Sequence, residues 1–291
     1  MKWEGQRQSD NVEDRRAGGA GGGGLRMGGR GIGIGTIIIA VLASWIFGIN
    51  PLTVLGVLGG GGPVSVPQSQ GPAARAPASD EMAAFVSTVL ADTEEVWGKI
   101  MQGGGARYSQ PKLVLFRGAV GTACGTGQSA MGPFYCPGDQ KVYLDMQFFD
   151  TLRSRMGAPG DFAQAYVIAH EVAHHVQNQL GITGKVDARR GRVSEREMNA
   201  LSVRVELQAD CFAGVWAHHS QKGKGGLERG DIEEAMNAAA QIGDDNLQRK
   251  SQGMVVPESF THGSSQQRMT WFKRGIESGS VQQCNTFEAR L

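Results

Sequence analysis

The chain has 291 residues, with 29 basic and 28 acidic side chains and a formal net charge of +1. This balance argues against a nucleic-acid binder, because such proteins concentrate basic residues on one domain. Glycine is far above its average share of about 7%, and its 44 residues concentrate towards the N-terminus. The remainder is long enough for one globular domain with a substantial core.

Three segments without a folded core are predicted before that domain. Residues 1–30 are polar and glycine-rich, which predicts a flexible, solvated N-terminus. Residues 31–58 begin with the uncharged stretch GIGIGTIIIAVLASWIFGI, which as a helix spans roughly 28 Å, close to the bilayer core of about 30 Å. Residues 59–78 form a Gly/Pro/Ala/Ser linker. We therefore expect the folded domain to cover residues 79–291.

The basic residues predict the orientation of the apolar segment in a membrane. Six lysine and arginine residues precede this segment, and none follows it until Arg75. The positive-inside rule then predicts a single-pass protein of the cytoplasmic membrane, with a cytoplasmic N-terminus and an extracytoplasmic (periplasmic) domain. A cleaved signal peptide is the alternative. Its basic region would be unusually long, however, and no small-residue cleavage site lies close behind the apolar core.

All four cysteines lie after the predicted membrane segment. An even number of cysteines in an oxidising compartment indicates two disulfides, for which three pairings are possible. One arrangement joins Cys124 to Cys136 across a short loop and Cys211 to Cys284 between a central helix and the last segment. A four-cysteine zinc site is disfavoured because the chain has no C-x-x-C pair. Free buried thiols are the other alternative.

Many helices and two or three short strands are predicted in the domain. KLVLF and KVYLD are typical of strands, while Asp161 and the Ser194/Glu197 pair mark the starts of two long helices. The absence of β-α alternation indicates an α+β fold. We interpret KVYLD as an edge strand along which an extended peptide could align by β-addition.

The sequence HEVAH, residues 170–174, places two histidines one helical turn apart. Residues at this spacing share a helix face, so the imidazoles of His170 and His174 can converge on one metal ion. Glu171 can lean over the same site and suits a base that acts on water there. His175 lies about 100° further round the helix, which predicts a packing or surface residue.

Glu206 and Asp210 form a second pair at helical spacing, on an otherwise apolar helix. Burying two carboxylates is costly unless they bind a metal or another partner. Glu206 would complete a His-His-Glu set for one zinc ion, and Asp210 would accept the outer N–H of a ligand histidine. A salt bridge to Arg204 is the alternative.

His262 lies in the loop ESFTHGSSQQR, just before the last helix. Amide hydrolysis needs a group that stabilises the developing oxyanion. His262 is the candidate donor, with Tyr143 and Tyr135 as rivals and a structural role at the helix entry as the alternative. We interpret His218 and His219, at the end of the second long helix, as structural.

These residues together resemble a known group of enzymes. H-E-x-x-H followed by E-x-x-x-D on a later helix resembles the gluzincin pattern of zinc metallopeptidases. More closely, the chain is similar over nearly its full length to the bacterial "putative neutral zinc metallopeptidase" family. The similar strings are MKWEGQRQSDNVEDRR, the apolar segment, GPFYCPGDQKVYLD, IAHEVAHHVQNQLGI, ELQADCFAGVWAHH and FTHGSSQQRMTWFKRG.

The resemblance implies a zincin-like fold in which His170, His174 and Glu206 hold one zinc ion and Glu171 is the catalytic base. FTHGSSQQR also resembles the Thr-His-Pro…Arg segment of some membrane-associated metallopeptidases, with Gly263 where proline is usual.

The resulting hypothesis is a membrane-anchored zinc metalloendopeptidase that acts on peptide or protein substrates. Two alternatives stay open: a non-catalytic, zinc-stabilised envelope module that binds protein partners, and a hydrolase of a non-peptide amide. Structural zinc sites usually have four protein ligands, and the three named here favour catalysis. Neither the cleavage specificity nor the oligomeric state follows from the sequence.

Overall fold

A computed structural model of the chain describes residues 1–16, 80–128 and 132–291. The predicted membrane segment (31–58) and linker (59–78) lie outside these residues, as does the rest of the predicted N-terminal segment. Within the described ranges, none of the helices combines the length and apolar character needed to cross a membrane.

The described residues form a mixed α+β fold that is mostly helical, which confirms the predicted fold class. The strands are β1 (Val12–Asp14), β2 (Lys112–Phe116), β3 (Ala119–Thr122), β4 (Gly125–Gln128), β5 (Phe134–Cys136) and β6 (Lys141–Asp145). The helices are α1 (Glu81–Gly103), α2 (Met146–Ser154), α3 (Asp161–Gln179), α4 (Ile182–Asp187), α5 (Glu195–Lys224), α6 (Asp231–Gln241), α7 (Asp244–Gln252) and α8 (Ser265–Ser278). Two 3₁₀ turns cover Pro257–Ser259 and Val281–Cys284.

The main sheet has the strand order β1-β2-β6-β5, and β3 and β4 form a separate hairpin. β1, β2 and β6 run parallel, whereas β5 pairs antiparallel with β6. The prediction that KVYLD is an edge strand is therefore wrong, because β6 lies between two neighbours and β5 is at the edge. Its run of buried side chains, Val142, Tyr143 and Leu144, is typical of an internal strand.

Residues 1–16 are part of the folded domain, so the prediction of a flexible N-terminus does not hold for them. β1 pairs in parallel with β2, and Trp3 packs edge-on against Phe85 with ring centroids 5.4 Å apart. Arg7 donates a hydrogen bond to the buried Glu94 of α1 at 3.0 Å. The charges of this segment indicated solvation, but Arg7 and Arg16 bond to carboxylates more than 60 residues away in sequence.

The pairing of β1 with β2 also bears on the predicted membrane topology. One crossing of a bilayer by residues 31–58 would place β1 and β2 on opposite sides of that bilayer. Strands that exchange backbone hydrogen bonds must share a compartment. The cytoplasmic N-terminus, single crossing and extracytoplasmic domain stay a prediction, and this strand pairing favours one compartment for residues 1–16 and the rest of the domain.

Two long helices form the centre of the core, and α8 packs closely against one of them. α3 is buried along most of its length, and α5 packs against both α3 and α8. The close approach of α5 and α8 depends on Gly214 and Gly275: a Cβ at Gly214 would lie 2.2 Å from the carbonyl oxygen of Phe272. This approach places the first turn of α8 next to Asp210 of α5, behind the predicted metal ligands.

Two disulfides are present, and both have the predicted partners. Cys124 pairs with Cys136, the last residue of β5, and Cys211 of α5 pairs with Cys284 near the C-terminus. The first bond joins the β3–β4 hairpin to the edge strand. The second fixes the C-terminal segment to the helix that carries Glu206.

Candidate metal centre

α3 and α5 bring the three predicted metal ligands together. Nε2 of His170 lies 3.1 Å from one carboxylate oxygen of Glu206, and Nε2 of His174 lies 3.4 Å from the other. Zinc bonds of about 2.0–2.1 Å at tetrahedral angles separate neighbouring ligand atoms by roughly 3.3 Å. The three side chains therefore fit a zinc ion at the positions the sequence predicts.

Hydrogen bonds to the outer ring nitrogens orient both histidines. Nδ1 of His170 donates to Asp210 Oδ1 at 2.8 Å, and Nδ1 of His174 donates to Gln177 Oε1 at 2.8 Å. With Nδ1 engaged as a donor, Nε2 of each ring is the nitrogen that faces Glu206, and it can bind a metal once its proton is displaced. Asp210 thus has the contact predicted for it, while Gln177 was not predicted from the sequence.

Asp210 also belongs to a buried network that the sequence did not reveal. Arg268 of α8 donates to both carboxylate oxygens of Asp210, each at 2.9 Å, and Tyr166 donates to one of them at 2.5 Å. Asp210 is fully buried and Arg268 is 3% exposed. Arg268 ends the FTHGSSQQR segment, so its resemblance to the Thr-His-Pro…Arg pattern was the available signal. The alternative partner, Arg204, instead bonds to the carbonyls of Thr286 and Ala289.

The electrostatics of the site favour a bound cation. Burial raises the pKa of Glu206, but the neighbouring imidazoles of His174 and His170 outweigh it and hold that pKa well below its usual range. Burial similarly raises the pKa of Asp210, but Arg268 and His170 lower it. Burial lowers the pKa of His170, yet Asp210 and Glu206 raise it to about 10. The carboxylates that stabilise protonated His170 would also stabilise a divalent cation. Protons and the cation compete for the same ligand atoms.

The three ligands open onto a cleft of about 890 Å³. Glu171 lines this cleft beside them and is 8% exposed. The cleft is bordered by the edge strand β5, and its walls include apolar side chains: Phe134, Phe148, Met156, Ile242 and Leu247. The arrangement places a carboxylate beside the three ligands, with room for an extended molecule in the cleft.

His262 lies at the rim of the cleft with its side chain about half exposed. Nδ1 of His262 lies 3.2 Å from Asp244 Oδ1, while Asp244 Oδ2 accepts backbone N–H bonds from Thr261, His262 and Gly263. Partial burial lowers the pKa of His262, but the Asp244 carboxylate outweighs this and raises it. Asp244 was not predicted from the sequence. Asp244 orients the His262 ring through Nδ1, which leaves Nε2 available to a molecule bound in the cleft.

The loop geometry explains why the chain has glycine where proline is usual. Gly263 has a φ of +93°, in the left-handed region. The proline ring fixes φ near −65°, so proline could not take this conformation. A Cβ at this position would also lie 3.1 Å from the Leu207 side chain.

The remaining candidates have other partners. The hydroxyl of Tyr143 donates to Asp139 at 2.7 Å, away from the cleft, whereas Tyr135 lines the cleft. His218 and His219 lie 2.8 Å from carbonyl oxygens at the end of α8, in agreement with a structural role. His175 is fully buried, so it is not a surface residue.

Comparisons with known proteins agree with this geometry. The family described as "Putative neutral zinc metallopeptidase" matches residues 1–287. "Uncharacterized protein YpfJ" of Escherichia coli K12 is 54% identical over 293 aligned residues, covering 99% of each chain. "Uncharacterized protein Mb2605" of Mycobacterium bovis is 42% identical over 206 residues, or 67% of each chain. No solved structure matches the chain. The chain therefore belongs to the family described as "Putative neutral zinc metallopeptidase".

Proposed function

We propose that the chain is a zinc-dependent peptidase that hydrolyses peptide bonds with Glu171 as general base. The observation that carries this proposal is the convergence of His170, His174 and Glu206 at the floor of an open cleft, with Glu171 beside them. Structural zinc sites are closed by four protein ligands, whereas catalytic sites keep one position open. Among the described residues, three side chains gather at this position, which favours catalysis.

The roles of the chain's own residues follow from their positions. When bound, zinc supplies the Lewis acidity that makes water reactive near neutral pH. Glu171 removes a proton from the attacking water and passes it to the departing amine. His262 donates a hydrogen bond from Nε2 to the oxyanion that develops on the carbonyl, while Asp244 holds its ring. Asp210 and Arg268 hold His170 in its ligating tautomer.

An extended peptide is the substrate that best fits the cleft. Among the described strands β5 pairs with β6 alone, and its other edge offers a place for β-addition next to the metal site. The apolar side chains on the cleft walls suit apolar substrate side chains. Protein or peptide chains would supply both the extended backbone and those side chains.

The disulfides support a location outside the cytoplasm. Two disulfides among the described residues, with no free cysteine in the same ranges, are typical of oxidising compartments. We propose that the metal site functions there, with residues 1–16 on the same side. Attachment to the membrane through residues 31–58 stays a prediction.

Metal removal and restoration test the proposed activity. The full-length chain is purified with zinc and incubated with casein and a mixed peptide substrate. We expect cleavage that chelation abolishes and zinc restores, together with one zinc ion per chain. A chain that unfolds on chelation and cleaves nothing when loaded would instead support the non-catalytic, zinc-stabilised module. Cleavage of a non-peptide amide alone would support the other alternative.

A further inference from the structure

The side chains of Tyr135 and His175 link the edge strand β5 to the metal-binding helix. The Tyr135 hydroxyl lies 3.0 Å from Nδ1 of His175, and their ring centroids are 5.4 Å apart. Tyr135 is the middle residue of β5, and His175 directly follows the ligand His174 on α3. The pair therefore connects β5, in the wall of the cleft, to α3, the helix at its floor.

The hydrogen bonds around His175 define the direction of this contact. Nε2 of His175 lies 2.6 Å from the carbonyl oxygen of Ser109, which can only accept a hydrogen bond. Nε2 therefore carries the proton, and Nδ1 accepts from the Tyr135 hydroxyl. Asn178 donates to the same hydroxyl at 3.1 Å. Every polar atom of the pair has a partner, as expected for a fully buried imidazole.

The side chains on the two faces of β5 have different partners, so the contact between Tyr135 and His175 lies on the opposite face of the strand from the stacking of Phe134 on Tyr143. Successive residues of a strand point to opposite faces. Phe134 stacks on Tyr143 at a centroid distance of 5.0 Å, on one face, while Tyr135 points from the other face towards α3. With only three residues paired to β6, β5 has little backbone support of its own.

We propose that Tyr135 and His175 are positioning residues that hold β5 at the correct distance from the metal-binding helix for an extended substrate. This inference rests on the proposed peptidase function. His175 itself points away from the ligand set and does not contact the ion position. Its effect on the reaction is indirect, because it acts through Tyr135 on the strand that would bind the substrate backbone.

Tyr135→Phe is the variant that tests this proposal. It deletes only the hydroxyl and leaves the ring in the cleft wall. We expect KM for an extended peptide to rise by at least about 3- to 10-fold, the factor typical of losing one hydrogen bond, since the hydroxyl bonds to both His175 and Asn178. The value of kcat should stay within about twofold and the zinc content should not change, because the ligands keep their own contacts. Tyr143→Phe is the matched control: it deletes a hydroxyl on the opposite face of the sheet, and KM should not change.

Hydrogen exchange separates this proposal from the proposed function. In the zinc-loaded full-length chain, the amides of residues 134–136 should exchange faster in Tyr135→Phe than in the parent or in Tyr143→Phe. That result supports the contact even if the parent cleaves no peptide. Unchanged exchange together with unchanged KM would overturn the proposal. A fall in kcat accompanied by loss of zinc would also overturn it, because the pair would then support the ligands instead of β5.

A double variant checks that the hydroxyl acts through the imidazole. On a His175→Gln background, adding Tyr135→Phe should change the exchange rate of residues 134–136 less than it does in the parent, because only the hydrogen bond from Asn178 is left to lose. Independent, additive effects of the two substitutions would show that they do not act through one contact.

Discussion

Replacing Arg268 by methionine removes the cation that neutralises Asp210 behind the metal site. In the folded chain, Arg268 makes two hydrogen bonds of 2.9 Å to a carboxylate that is fully buried. Methionine retains much of the apolar stem of arginine but leaves the Asp210 charge without its main partner. The remaining partners, Tyr166 and His170, both contact the same carboxylate oxygen.

The expected loss of stability is large. Removing one partner of a buried ion pair typically costs about 3–5 kcal/mol. In a domain of this size each kcal/mol lowers Tm by roughly 2–4 °C, so Tm should fall by about 6–20 °C. Because Asp210 also orients His170, zinc affinity should weaken by about 10- to 100-fold.

Thermal unfolding followed by circular dichroism, with and without added zinc, measures both effects. Arg274→Met on the same helix is the control, since Arg274 is exposed and its main contact is with the Trp271 ring at 4.8 Å. That variant should lower Tm by no more than a few degrees. If Arg268→Met and Arg274→Met unfolded at the same temperature and bound zinc equally, the reasoning about the buried network would be refuted.

Four further predictions concern other residues of the chain. Burial raises the pKa of Asp244, but His262 and the backbone N–H groups outweigh it and lower that pKa in the folded chain. The Asp244 carboxylate therefore stabilises the fold above its unfolded pKa of about 3.9. This stabilisation is lost as pH falls through the lower folded pKa. Asp244→Asn should accordingly cost more stability in urea titrations at pH 7 than at pH 3, and an equal cost at both would contradict this. Glu206→Ala should abolish stoichiometric zinc binding measured by atomic absorption, whereas an unchanged stoichiometry would identify another third ligand. Deleting residues 2–16 should lower Tm, because β2 loses its parallel neighbour. Finally, an impermeant maleimide applied to intact cells should label cysteines introduced at the exposed Gln8 and Gln252 together or not at all; labelling of only one would show that the two positions lie in different compartments.

The parts of the site that follow from helical spacing could be predicted from the sequence. His170 and His174, like Glu206 and Asp210, are four residues apart, and a helix places such residues on one face whatever surrounds it. The structure brings the two pairs together because α3 and α5 pack side by side. Both disulfide pairings could be proposed because four cysteines allow only three arrangements.

The parts that depend on distant partners could not be predicted in the same way. Arg268 binds a carboxylate 58 residues away in sequence, and apart from the resemblance of the FTHGSSQQR segment its local pattern does not distinguish it from a surface arginine. β1 has three residues, too few for a periodic pattern, and its partner strand lies 100 residues later. The edge position of β5 depends on the order of strands in the sheet. Such order is a property of tertiary packing and is not encoded in the strand's own composition.

His175 shows how a correct geometric argument can still miss a role. Its position about 100° from His174 excludes it from the ligand set, as predicted. The same rotation points it at β5, where it accepts a hydrogen bond from Tyr135. That contact was not predictable before the neighbouring strand was known.

Glu171→Gln tests the central claim most directly. Zinc content and peptide cleavage are measured on the same preparations of the full-length parent and the variant, because residues 1–16 belong to the folded domain. Glutamine keeps the size of the side chain and removes its ability to accept a proton. The proposed mechanism predicts equal zinc content and a cleavage rate lower by about 10²- to 10⁴-fold. Equal zinc content with equal cleavage rates would contradict the assignment of Glu171 as the general base.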